Sequence, residues 1–74
     1  MTKIQEIYNC DECKVVLANE VEMVVQSIDI CEAQNDDGEE LGYEEVAVNV
    51  LNGTEIIDMI FLKEEDIILV KMSK

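Results

Sequence analysis

A mainly β domain is what this chain predicts: a small five-stranded antiparallel barrel or twisted sheet with a short N-terminal helix or extended segment. Three observations carry that expectation. Asn52-Gly53 stands between runs of alternating apolar residues, the strongest short-range hairpin signal, because both residues accept the positive φ of a type I′ turn. Valine and isoleucine crowd the segments on either side of it, and β-branched side chains fit a pleated, half-buried surface. With 74 residues, there is material for one hydrophobic core and no second domain, so residues 1–74 are expected to form a single unit.

The elements follow in order. Residues 2–10 fit a short helix capped by Thr2, with Ile4 and Ile7 facing inward. Lys14-Val15-Val16-Leu17-Ala18 and Val21-Glu22-Met23-Val24-Val25 read as two strands around a turn at Asn19-Glu20, and Ile28-Asp29-Ile30 resumes the alternation after a one-residue slip at Gln26-Ser27. A helical alternative places Leu17, Val21, Val24 and Ile28 on one face; the β-branched density favours strand. The polar stretch Gln34 to Gly42 reads as a loop. Val46, Val48 and Val50 then alternate up to the Asn-Gly turn, and Glu55 to Leu62 forms the second arm with Ile57, Met59 and Phe61 at period two. Lys63-Glu64-Glu65-Asp66 ends that arm, and Ile67 to Met72 is expected to complete a three-stranded C-terminal meander. So small a sheet is marginal alone, and pairing of open edges in a homodimer would bury apolar surface and remove an edge together.

Composition excludes several classes of function. Eighteen Asp and Glu face five Lys, with no Arg and no His, for a net charge of -13. The chain therefore lacks the commonest general base and metal ligand, and a phosphate backbone would repel it, so direct nucleic-acid binding is not expected. Aromatic residues are confined to Tyr8, Tyr43 and Phe61, too few for a base-stacking platform. Paired carboxylates such as Glu64-Glu65-Asp66 could serve acid–base chemistry only across a deep cleft, which a chain of this size has little material to build. No enzyme and no cofactor is expected. Apolar runs of four residues cannot cross a bilayer, no apolar leader opens the chain, and an odd set of three cysteines argues against a secreted disulfide domain, so a reducing cytoplasm is the expected compartment.

Cys10-Asp11-Glu12-Cys13 has a spacing that zinc uses, and Cys31 could add a third thiolate, but tetrahedral closure needs a fourth ligand and the chain has no histidine. The carboxylates within the motif disfavour a reactive thiolate. The cysteines are thus read as small half-buried hydrophobes, with a zinc module on Cys10, Cys13 and Cys31 as the alternative. Asn35 to Glu40 places oxygen ligands around Gly38 yet lacks the ligand order of a calcium loop.

Charge distribution is the most informative feature. From Val15 to Leu62 no residue is basic, whereas Glu20, Glu22, Asp29, Glu32, Asp36, Asp37, Glu39, Glu40, Glu44, Glu45, Glu55 and Asp58 are acidic. A net charge of roughly 2 to 8 suffices for solubility, so this excess calls for a functional reason, and a cationic protein surface is the natural partner. A sphere of about 30 Å would carry one excess charge per roughly 2.3 Å, against one per about 1.7 Å of duplex DNA. Carboxylates on neighbouring strands can form two acidic rows at phosphate-like intervals.

In size, acidity and absence of arginine, the chain resembles the small phage-encoded proteins that mimic DNA and block host DNA-binding proteins. That resemblance implies a non-enzymatic inhibitor in the host-cell cytoplasm, competing with DNA for a basic surface, with nucleoid-associated HU as first-choice target and RNA polymerase as second. Its contact set would be Asp36, Asp37, Glu39, Glu40, Glu44 and Glu45, with Glu20, Glu22, Glu55 and Asp58 as a second row. Lys14-Val15-Val16-Leu17, Ser27-Ile28-Asp29 and Ile60 to Ile67 also resemble the two segments of Sm-like barrels, although Asn19-Glu20 and Glu64 stand where that family has glycines and Lys63 where it has an RNA-contacting arginine. The rival to inhibition is an acidic adaptor or assembly subunit whose charged face is merely solvated.

Overall fold

Thr2 nucleates the first element. In the computed structural model, which describes residues 1–72, the Thr2 hydroxyl accepts the Gln5 backbone N–H at 3.1 Å, and the Gln5 side chain accepts that of Thr2 at 3.1 Å. This reciprocal pair satisfies donors that a helix start leaves orphaned, and it opens α1 (Lys3–Asn9). Ile4 and Ile7 fall on one face of α1 and are buried, as their spacing predicts. The last two positions of the expected 1–74 domain lie outside the described residues.

Five strands follow: β1 (Glu12–Leu17), β2 (Glu22–Gln34), β3 (Glu40–Asn52), β4 (Glu55–Lys63) and β5 (Ile67–Met72). All pair antiparallel in one sheet of order β4-β3-β2-β1-β5. The sheet does not close into a barrel; it is an open twisted sheet with β4 and β5 at its two edges. Residues 17–28 are strand and turn rather than helix. The slip expected at Gln26-Ser27 is a bulge at Ile28, where pairing passes from Ser27 opposite Val48 to Asp29 opposite Ala47.

Three expectations are corrected. The C-terminal half is no meander: β5 pairs with β1, because the 3-10 turn Glu64–Asp66 carries the chain away from β4. The β3–β4 turn is centred on Gly53-Thr54, since Asn52 pairs with Glu55, and Gly53 has φ +66 while Thr54 has no positive φ. That is the type II′ pattern, which needs glycine only at its first central position. The loop between β2 and β3 shrinks to residues 35–39, since β2 runs to Gln34 and β3 starts at Glu40.

One face of the sheet holds the core. Cys13, Val15, Val25, Val46, Val48, Leu62 and Ile67 meet Ile4 and Ile7 of α1 there. Glu64 locks this lid in place: its carboxylate accepts the backbone N–H groups of Lys3 at 3.0 Å and Ile4 at 3.2 Å, and its Oε2 lies 3.9 Å from the Lys3 ammonium. The negative carboxylate also suits the positive end of the helix dipole.

Candidate partner-binding surface

Asn35 shapes the acidic loop. Its side-chain oxygen accepts the backbone N–H groups of Asp37 and Glu39, both at 2.9 Å, and its carbonyl accepts that of Gly38 at 3.0 Å. Such an Asx turn needs no apolar anchor, and it leaves Asp36, Asp37 and Glu39 pointing to solvent. Beyond the loop, Glu40 pairs with Gln34, Glu44 with Glu32 and Glu45 with Cys31. Glu44 directly opposite Glu32 is a like-charge cross-strand pair, an arrangement that costs stability.

The second set lies elsewhere. Glu22 sits opposite Val16 at the start of β2, Glu20 precedes it with φ 69, Glu55 faces Asn52 across the β3–β4 turn, and Asp58 faces Val50. By register this is the opposite end of the β2–β3 ribbon from Glu40, Glu44 and Glu45. The ten carboxylates form two patches, one at each end, instead of two adjacent rows. Nine of them are exposed and Glu45 is half-buried. Among the described residues none of the ten is ion-paired.

The lysines are segregated. Lys63 reaches Glu65 at 2.9 Å and lies 5.8 Å from the centre of the Tyr43 ring; the hydrogen bond to Glu65 is the main cause that raises its pKa. Lys3 is held by Glu64. Lys14 and Lys71 are directly opposite each other on β1 and β5, a second like-charge pair, at the far edge of the sheet from β4.

Two clefts accompany these charges. One, about 410 Å³, lies between α1, the start of β3 and the 3-10 turn Glu64–Asp66, with Ile4, Tyr43, Lys63 and Glu65 in its lining. The other, about 580 Å³, is lined by Cys31, Glu32, Gln34, Glu40, Glu45 and Phe61. Phe61 and Glu32 are absent from the contact set the sequence suggests. The alternation Ile57, Met59, Phe61 was a signal, but it reads equally well as a core row; in the structure Ile60 and Leu62 turn inward and the odd-numbered residues turn out.

The cysteines do not converge. Cys13 is wholly buried in the core, Cys10 ends α1, and Cys31 lies six residues along β2 from Val25, the residue opposite Cys13, or roughly 20 Å of strand. Burial first, then Cys10 and Glu12, pushes the Cys13 thiol up to about 11; burial, then Glu45, Asp29 and Glu32, raises that of Cys31. The zinc reading of Cys10, Cys13 and Cys31 is thus overturned as geometry, and among the described residues no group of three or more cysteines and carboxylates is placed to hold a metal ion. The calcium reading meets the same finding, since the Asn35 oxygen is already turned to two backbone donors.

Among the described residues, no helix is long and apolar enough to cross a membrane. No family model matches the chain, and no curated protein or solved structure matches it.

Proposed function

We propose that this protein is a non-enzymatic inhibitor that occupies the basic nucleic-acid-binding surface of another protein by presenting carboxylates in place of phosphates. The observation that carries the reading is the set of ten carboxylates at the two ends of the β2–β3 ribbon, none of them ion-paired among the described residues. The molecule measures 37 × 25 × 23 Å, so 13 excess charges average one per roughly 2.8 Å of its long axis. That is sparser than the sphere estimate but still within a factor of two of duplex DNA, at one per about 1.7 Å. Long-range attraction would speed encounter, and carboxylate contacts to Lys and Arg would fix the pose. The RNA-binding role that the Sm-like resemblance implies is disfavoured, because Lys63 is engaged by Glu65 and the chain as a whole repels phosphate.

Nucleoid-associated HU is the first-choice target and RNA polymerase the second. Purified protein added to an HU–DNA complex is expected to release the DNA, with potency falling as salt rises. Failure to displace DNA at tenfold excess rejects HU, and failure with RNA polymerase as well rejects the reading.

Self-association fits the β5 edge. Ile67–Met72 contains no carboxylate, Ile68 and Leu69 are exposed, and Lys14 and Lys71 make this the least negative part of the sheet. Two copies repel least there, so pairing of β5 edges is the homodimer that leaves the acidic surface free. Sedimentation of wild type against Leu69→Lys tests it: a dimer lost in the variant supports the β5 edge, and a monomer at high concentration rejects it.

A further inference from the structure

We infer that β4 and the cleft at its end receive an extended cationic segment of the partner protein, which adds to the sheet as a sixth strand and lays an arginine across Phe61. The inference rests on the inhibitor reading and deepens it by naming how the partner is gripped.

Exposed sheet edges are normally blunted by proline, by short length or by charges along the strand, because a row of unpaired N–H and C=O groups templates further pairing. β4 is only partly protected: a register shift at Ile57 separates Ile56, opposite Leu51, from Asp58, opposite Val50, and from Asp58 to Lys63 the strand is regular. It is nine residues long, contains no proline, and between Glu55 and Lys63 carries only Asp58 as a charge. Its outward face is apolar: Ile57, Met59 and Phe61 are 57%, 52% and 49% exposed. A strand that is both unpaired and apolar on its solvent side is suited to strand addition, where main-chain bonds supply affinity and alternate side chains supply selectivity.

Charge identifies the occupant. At the Phe61 end of β4, the 580 Å³ cleft gathers Glu32, Glu40 and Glu45, none ion-paired among the described residues. Lys63 lies opposite Glu45 in register, yet its ammonium is turned to Glu65 and Tyr43, and it does not line the cleft. An exposed ring beside three free carboxylates matches a guanidinium better than an ammonium, because the planar ion stacks on the ring while its fork meets carboxylate oxygens. A second copy of this chain is a poor occupant of the same edge, because it brings a further net charge of -13 to a strand whose end already gathers Glu32, Glu40 and Glu45. Nucleic acid is repelled outright.

The test uses a fluorescent decapeptide of alternating arginine and valine, read by anisotropy. It is compared with the same peptide N-methylated at alternate backbone amides along either edge, and with its lysine counterpart. Wild-type protein is expected to bind the arginine peptide, N-methylation of one edge to weaken it more than about tenfold, and lysine to bind less well. Phe61→Ala should weaken binding about 2- to 30-fold, and Glu32→Gln, Glu40→Gln and Glu45→Gln together roughly 3- to 150-fold. Circular dichroism confirms that each variant is folded; the glutamine triple, which leaves the apolar packing untouched, serves if Phe61→Ala is not. Equal binding of all N-methylated peptides overturns strand addition, and unchanged binding by both variants overturns the arginine seat. Self-association abolished by Phe61→Ala would give the β4 edge to a second copy and overturn the proposal. Should wild type and Phe61→Ala displace DNA from HU equally, the inference fails while the inhibitor reading stands; should wild type bind the peptide but neither HU nor RNA polymerase, the reverse holds.

Discussion

Glu32 opposite Glu44 and Lys14 opposite Lys71 are the same local conflict in opposite signs, placed at different positions of one sheet. Each puts two like charges on directly facing positions, where each such pair costs about 0.2–1 kcal/mol. A sheet selected for stability alone would exchange one member of each pair and turn two repulsions into two attractions. Keeping the signs apart instead gives the molecule an acidic β2–β3 ribbon and a small cationic strip at β1–β5. Sorting charge in this way suits a protein whose surface is read by another molecule.

The largest test of that contrast replaces Glu39, Glu40, Glu44 and Glu45 by glutamine. Exposed ion pairs contribute about 0.2–1 kcal/mol each, so DNA displacement should weaken roughly 4-fold to 900-fold if the four act independently. Lys14→Gln with Lys71→Gln should leave displacement unchanged or slightly stronger. Equal losses from both sets would show that net charge, and not its location, governs binding.

Cys13 directly precedes Lys14 on β1 and is buried on the core face. Its thiol is raised from 9.0 to about 11, so between those values the folded chain keeps a proton that the unfolded chain has released. Stability is therefore complete below pH 9 and is lost as pH rises toward 11, by on the order of 2 kcal/mol. Chemical denaturation at pH 8 and pH 11 measures the loss, and Cys13→Ala should flatten this part of the profile. A wild-type profile flat across the window would mean that Cys13 is not buried in solution.

Glu64 is the counter-example to the unpaired carboxylates, because it holds Lys3 and Ile4. Glu64→Ala should cost about 1–2 kcal/mol, visible as a lower Tm and faster amide exchange in α1, without loss of DNA displacement. An unchanged Tm would show that packing of Ile4 and Ile7 alone seats the helix.

The smallest effect is the most diagnostic. Glu44→Gln and Lys71→Gln should each stabilise the protein by about 0.2–1 kcal/mol, and only Glu44→Gln should reduce displacement. If neither raises the Tm, the facing side chains splay far enough for water to screen them.

Local signals in the sequence identified the elements whose causes are local. Thr2 with Gln5 announces the capped helix, Asn52-Gly53 the hairpin, and the broken alternation around Ser27 the bulge. Pairing of β5 with β1 was not legible, because Ile67-Ile68-Leu69-Val70 is apolar on both faces and fits beside β4 as well as beside β1; the choice is made by the Glu64–Asp66 turn in three dimensions. The same ambiguity hid the cleft. In Ile56 to Leu62 only Asp58 is polar, so period two cannot say which row is outward, and Phe61 reads as core. Of the candidate surface, the carboxylates were identifiable from charge alone, but their division between the two ends of the ribbon depends on the register of β2 with β3.

Pairing of β5 with β1 also bears on how the protein is made. About 50 residues separate Leu17 from its partner Ile67, and at roughly 5–20 residues per second a ribosome needs about 3–10 s to bridge that interval. Throughout it, one side of β1 lacks its neighbour, and the nascent hairpin of β1 and β2 presents an open edge bearing Val15 and Leu17. The crowding of negative charge would meanwhile hold incomplete chains apart on a polysome, since Glu12, Glu20 and Glu22 are already in place near that hairpin before Ile67 has been synthesised.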